Sequence, residues 1–145
     1  MRNQKGQALV EFAIILPLLF LLIFGIFEFG RAMFIKNSLN NAARSAVRVA
    51  VVTPNLTDIN YSAGQLSIRS ATDKIQAKIY DNLLYINKDS ATAIVNVVEH
   101  ANALPSDTVT VTVTGAFNPI VSKITNTLQI NVPNTLRGEA SMRYE

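Results

Sequence analysis

The chain has 145 residues, with no cysteine, no tryptophan and a single histidine, His100. Without cysteine there are no disulfides and no thiolate metal ligands. One histidine gives little support to a histidine-based triad or metal site. Glycine is sparse, with six residues, and none forms a phosphate-binding loop or a paired-glycine fingerprint. Asp73 and Asp81 are separated by Lys74 and Lys78, the mark of a solvated helix face rather than a carboxylate pair. The expectation is therefore no catalytic residue, no metal, no cofactor and no enzyme. The formal net charge of +3 includes Arg2 and Lys5 and is near +1 without them. The other basic residues are scattered, so nucleic acid is not an expected partner. Asn55-Leu56-Thr57 and Asn60-Tyr61-Ser62 fit the glycosylation sequon, a pattern short enough to arise by chance.

Charge is scarcest between Lys5 and Glu28, where Glu11 is the only ionisable residue. Ala8 to Phe27 gives twenty residues dominated by Leu, Ile and Phe. At about 1.5 Å rise per residue these span roughly 30 Å, the thickness of a bilayer core. Arg2 and Lys5, with no nearby acid, place the N-terminus in the cytoplasm and residues 30–145 outside by the positive-inside rule. A secretory signal peptide would need a small-x-small site after the apolar run. Phe24-Gly25-Ile26-Phe27-Glu28-Phe29-Gly30 fits that poorly.

A carboxylate inside a membrane helix costs about 2.5–3.5 kcal/mol on insertion scales. Glu11 reads either as an interfacial carboxylate favoured by the helix dipole or as a group placed for a partner. Pro17 lies within the run. It marks either a simple kink or a place where the helix bends or melts as subunits leave the bilayer. Phe20, Phe24, Phe27 and Phe34 fall near one face, which reads as lipid contact and helix packing. Glu28 and Arg31 form an i, i+3 pair just outside the span.

Beyond the span, Ile35, Leu39, Ala42, Ala43, Ala46, Val47 and Ala50 recur at helical spacing and form an amphipathic stripe. Thr53-Pro54-Asn55 ends that helix, and a polar loop follows. Ser62 and Gln65 fit a capping box, with Tyr61 and Leu66 as a hydrophobic staple. They open a second helix over about 63–85, whose buried face is Ile68, Ala71, Ile75, Ile79 and Leu83. The period then switches to two. Residues 92–99 are rich in β-branched residues, 100–107 read as a hairpin loop, and 108–114 alternate valine and threonine, with valines inward and threonines toward solvent. Residues 120–126 suit a helical turn, Leu128–Val132 a strand, and Ala140, Met142 and Tyr144 a final strand. The predicted fold class is α+β: a long N-terminal membrane and amphipathic helix, a second helix, then an antiparallel sheet of three to four strands. The expected organisation is a basic leader (1–6), a transmembrane helix (7–27), its amphipathic extension (28–52) and a small α+β domain (53–145).

Gly6-Gln7-Ala8-Leu9-Val10-Glu11-Phe12-Ala13, Pro17-Leu18-Leu19, the Gly25, Glu28, Gly30 and Arg31 set, and Asn41-Ala42-Ala43-Arg44 together carry a resemblance. Residues 5–50 resemble the TadE-like family of pseudopilins or minor pilins, which belong to tight-adherence systems assembling Flp-type (type IV) pili in bacteria. The resemblance implies cleavage by a prepilin peptidase between Gly6 and Gln7. It also implies an assembly role for Glu11, Phe12 and Pro17. Glu11 would be the fifth residue of the mature chain, attracting the free amine of a neighbouring subunit. Gln7 departs from the Phe or Met at the mature start of many type IV pilins. Phe12 stands where Flp major pilins have tyrosine. Residues 53–145 exceed what an Flp major pilin carries, which favours a minor or accessory subunit. The implied partners are the peptidase, other pilin or pseudopilin subunits, an inner-membrane assembly platform and the lipid bilayer. The implied location is the bacterial inner membrane in a single pass, with the C-terminal domain periplasmic or extracellular. The competing reading is an unprocessed single-pass protein whose outer domain binds a ligand or partner. A small extracytoplasmic enzyme is a third.

Overall fold

The computed structural model describes residues 4–53, 56–62, 64–67, 73–84, 86–98, 108–120, 122, 129 and 133–143. Its elements are α1 (Gln4–Val51), β1 (Ile59–Tyr61), a 3-10 turn (Gln65–Ser67), α2 (Lys74–Asn82), a second 3-10 turn (Lys88–Ser90), β2 (Thr92–Val98), β3 (Thr108–Ala116) and β4 (Thr135–Arg143). The chain divides into two units, residues 1–33 and 34–145. The second is an α+β domain that contains the last turns of α1, α2 and one antiparallel sheet in the order β1-β2-β3-β4.

The core of the second unit is the stripe expected on α1. Ile35, Leu39, Ala42, Ala43, Ala46, Val47 and Ala50 are all buried. From the sheet come Ala93, Val95, Val109, Val111 and Val113, and from α2 Ile75, Ile79 and Leu83. The register aligns Tyr61, Ala93, Val113 and Gly138 in one row and Ile59, Val95, Val111 and Ala140 in the next. The inward valines follow from the two-residue period of a strand.

Gly138 is where the helix and the sheet come closest. A Cβ at this position would stand 2.6 Å from the Leu39 carbonyl oxygen and 2.6 Å from the Asn40 nitrogen. Only a residue without a side chain lets strand backbone approach helix backbone in this way. At Gly115 a Cβ would instead meet side chains, Ile86 Cγ2 at 3.0 Å and Leu39 Cδ2 at 3.4 Å. The Lys36 ammonium also donates to the Arg137 carbonyl, next to Gly138.

Side chains from elsewhere set the limits of α2. Asp73 is its N-cap and accepts from the Gln76 backbone N–H at 3.0 Å. The Tyr61 hydroxyl donates to the other Asp73 oxygen at 2.6 Å. At the far end, the buried Ser38 hydroxyl on α1 donates to the Asn82 carbonyl (2.8 Å) and accepts from the Leu84 N–H (2.9 Å). One hydroxyl thus bonds two backbone groups at the end of α2, which also bond each other, the Leu84 N–H donating to the Asn82 carbonyl at 3.1 Å.

Several local expectations change. The Ser62–Gln65 contact forms, with the Ser62 N–H donating to Gln65 Oε1 at 2.6 Å, but it opens a 3-10 turn rather than a long helix. The helix proper starts after the Asp73 cap, and Ile68 and Ala71 lie outside the described residues. The segment read as a polar loop contains β1, and Asp58 extends its pairing by accepting from the Val97 N–H at 2.7 Å. β4 begins at Thr135, earlier than the alternation of its last residues indicates, because it pairs with β3 along nine positions. Thr112 is buried rather than solvent-facing: it sits between Ile94 and Glu139 in the sheet, and Arg137 donates to its hydroxyl at 3.3 Å. Ser122, within the expected turn at 120–126, is helical. The hairpin loop 100–107, His100, and nearly all of the expected strand Leu128–Val132 fall outside the described residues.

Two outcomes follow. Gly138→Ala forces backbone apart and is expected to destabilise the domain by about 1–3 kcal/mol. Gly115→Ala costs less, since side chains can yield. Thermal unfolding of the detergent-solubilised full chain, followed by near-ultraviolet circular dichroism, ranks the two; equal effects would remove the backbone-contact account. Burial first, then the hydrogen bond and charge of Asp73, hold the Tyr61 phenol well above its ordinary value of 10.0. A raised folded-state value means that its contribution is complete below pH 10 and is lost as pH rises further. The natural chain is therefore expected to lose stability above pH 10 more steeply than Tyr61→Phe, as read from unfolding temperature against pH.

Candidate functional site

The site predicted from the sequence lies wholly on the part of α1 within the first unit. From Gly6 to Phe27 every residue except Leu16 is exposed. Fifteen large apolar side chains from Leu9 to Phe29 are exposed, ranging from Ile14 at 72% to Ile23 at 49%. Leaving each in water forgoes about 1.5–3 kcal/mol, so the total is of order tens of kcal/mol. That is more than a domain's whole stability, so lipid or other protein must cover this helix. Its most apolar eighteen-residue window has a mean hydropathy of 2.8 and none of it is buried. A core helix of a soluble protein would be mostly buried. The helix is long and apolar enough to cross a membrane, and among the described residues it is the one such helix, which suggests single-pass anchoring.

Gly6, Gln7, Glu11, Phe12 and Pro17 are all helical and exposed. Four residues apart on one face, Gln7 and Glu11 meet: Gln7 Nε2 donates to Glu11 Oε1 at 3.3 Å. The i, i+4 spacing of the two residues on a helix is the sequence signal for this contact. Phe12 lies at 59% exposure and touches none of the other predicted residues by hydrogen bond. Pro17 sits inside the helix, where it brings no N–H to the carbonyl of Ala13 four residues earlier.

A Cβ at Gly6 would meet nothing within 4 Å, and the same holds at Gly25 and Gly30. Among the described residues nothing packs against Gly6, in contrast to Gly138.

The apolar run ends at an ion pair. Arg31 Nη2 lies 2.5 Å from Glu28 Oε1, and the two side chains are 31% and 12% exposed. Phe20 and Phe24 stack one turn apart, with ring centroids 6.3 Å apart and planes at 31°. In the second unit, Val52, Leu56, Ile59 and Ile75 line an open groove of about 510 Å³ together with Asp73 and Lys74. Asp73 is committed to capping α2 and to Tyr61. Among the described residues no group of three or more His, Cys, Asp or Glu is placed to hold a metal ion.

Residues 6–48 match the TadE-like protein family. The match begins at Gly6 and ends on the amphipathic stripe, so it spans less than a third of the chain and the residues from which the resemblance was read. No curated protein and no solved structure matches the chain.

Placing a second carboxylate mid-span tests the anchoring. Leu18→Asp adds about 2.5–3.5 kcal/mol to insertion. Carbonate-washed membranes are expected to retain the natural chain and to lose a measurable share of the variant. Release of the natural chain by carbonate would rule out a spanning helix.

Proposed function

We propose that this protein is a TadE-like pseudopilin or minor pilin: a membrane-anchored subunit, processed by a prepilin peptidase and used in assembling a Flp-type (type IV) pilus or a related secretion apparatus. The observation that carries the reading is the TadE-like match over residues 6–48, which opens on the glycine five positions before the lone carboxylate of the apolar run. The work of such a subunit is assembly rather than chemistry.

Each part of the site has a physical role in this reading. Cleavage after Gly6 removes Arg2 and Lys5 and creates a new amine on Gln7. A small residue lets an extended backbone approach the protease, and Gly6 has open space around it. The new amine of one subunit and the Glu11 carboxylate of its neighbour are opposite charges in a low dielectric. They attract strongly when paired and are penalised when unpaired. That pairing sets the axial stagger between subunits. Phe12 packs beside it, and Pro17, which removes one helix hydrogen bond, gives the helix a place to adjust as it leaves lipid. The N-terminus is cytoplasmic and the α+β domain lies outside the inner membrane. The partners are the peptidase, other pilin or pseudopilin subunits and an inner-membrane assembly platform.

Intact mass of the protein from its native membrane tests the processing. Peptidase-dependent loss of Met1–Gly6 is expected; a full-length chain in cells with active peptidase would favour an unprocessed single-pass protein. Glu11→Ala is expected to insert and be cleaved but not to be incorporated, as read by co-purification with the assembled apparatus. Normal incorporation would remove this account of Glu11.

A further inference from the structure

We propose that Glu11 has a second role: it holds the side chain of Gln7 away from Gln7's own backbone nitrogen and so preserves the charged amine that processing creates. This inference rests on cleavage between Gly6 and Gln7. An N-terminal glutamine is chemically unstable in one particular way. Its α-nitrogen attacks its own side-chain carbonyl carbon, Cδ, and a five-membered lactam closes. The new bond is between the α-nitrogen and Cδ, the Cδ–Nε2 bond breaks, and a proton from the α-nitrogen leaves with Nε2 as ammonia. Nothing is oxidised or reduced. The product has no basic amine, so the cation that a neighbouring carboxylate would meet is gone.

In the structure the Gln7 side chain reaches along the helix to Glu11 instead. Its Nε2 donates to Glu11 Oε1 at 3.3 Å, one helical turn toward the C-terminus. Ring closure needs Cδ folded back onto the residue's own nitrogen, whereas this hydrogen bond draws the amide group along the helix. One side chain cannot do both. The residues of the next turn beside Gln7 are Val10 and Glu11, and only Glu11 offers an acceptor. The Gln7 side chain is exposed, so packing does not restrain it in place of the hydrogen bond. An amide–carboxylate bond is charge-assisted and strengthens as water is excluded. A neighbour's amine recruits the same carboxylate, and by then the cation it protects is already in use.

The test uses the full chain processed in peptidase-containing membranes, purified in detergent and incubated while N-terminal peptide mass is followed over time. The natural chain is expected to keep its ammonia, and Glu11→Ala to lose it about three- to ten-fold faster, the population ratio that one hydrogen bond maintains. Glu11→Gln, which retains an acceptor oxygen without the charge, is expected to stay close to the natural chain. A merely structural role for Glu11 would not move this mass. Equal rates of ammonia loss in the natural chain and Glu11→Ala, both correctly processed, overturn the guarding role alone. A chain that keeps Met1 in every case overturns the processing reading and this inference with it.

Discussion

The stripe of small and branched residues on the second half of α1 is the surface against which the outer domain is built. Alanine at positions 42, 43, 46 and 50 keeps that face low, and glycine at 138 lets β4 come into contact with helix backbone beside Leu39. Ser38, on the same helix, terminates α2 by serving both Asn82 and Leu84, and Lys36 fastens the Arg137 carbonyl of β4. Thus one helix supplies the core wall, the stop for the second helix and a tether for an edge strand. An edge strand carrying Arg137, Glu139 and Arg143, with one carbonyl occupied by Lys36, is also a poor template for unwanted strand addition.

The first half of α1 meets the opposite requirement. Its side chains are apolar on all faces and exposed, so its surroundings must be apolar as well. Against that background two carboxylates have partners within a turn: Glu11 has Gln7, and Glu28 has Arg31. The contrast between Gly6 and Gly138 is instructive. Gly138 is required by the fold of this chain, while nothing among the described residues crowds Gly6. In the proposed function the requirement at Gly6 comes from a protease, and the requirement at Glu11 from a neighbouring subunit.

Much of this was legible in the residue pattern. The seven apolar stripe positions on α1 are all buried, joined only by Ser38 on the same face, since a 3.6-residue period leaves a single face available to a core. The inward valines of β3 follow in the same way from a period of two. Where local pattern and distant contact competed, contact prevailed. β1 is three residues long and exists through its pairing with β2, and Thr-Leu-Arg-Gly at the start of β4 has no strand-like alternation until it is paired with β3. The capping signal at Ser62 was real but local. The helix it appeared to announce starts at a cap twelve residues after Tyr61, held by the hydroxyl of that same tyrosine. At the N-terminal end, Gln7 and Glu11 stand at i, i+4 spacing in the sequence, but only the structure joins them by a hydrogen bond.

By itself, the sequence determined the partition of this protein: an apolar segment of membrane-spanning length with one carboxylate, an amphipathic continuation, and an α+β remainder. These are consequences of composition and periodicity, which act residue by residue along the chain. The tertiary structure decided what depends on groups far apart in sequence. It chose where α2 begins and ends, through Asp73 with Tyr61 and through Ser38. It selected which threonine is buried beneath an arginine, and which glycine is indispensable. The physical reason is that hydrogen-bond satisfaction and steric approach are properties of pairs in space, and no periodicity records the partner.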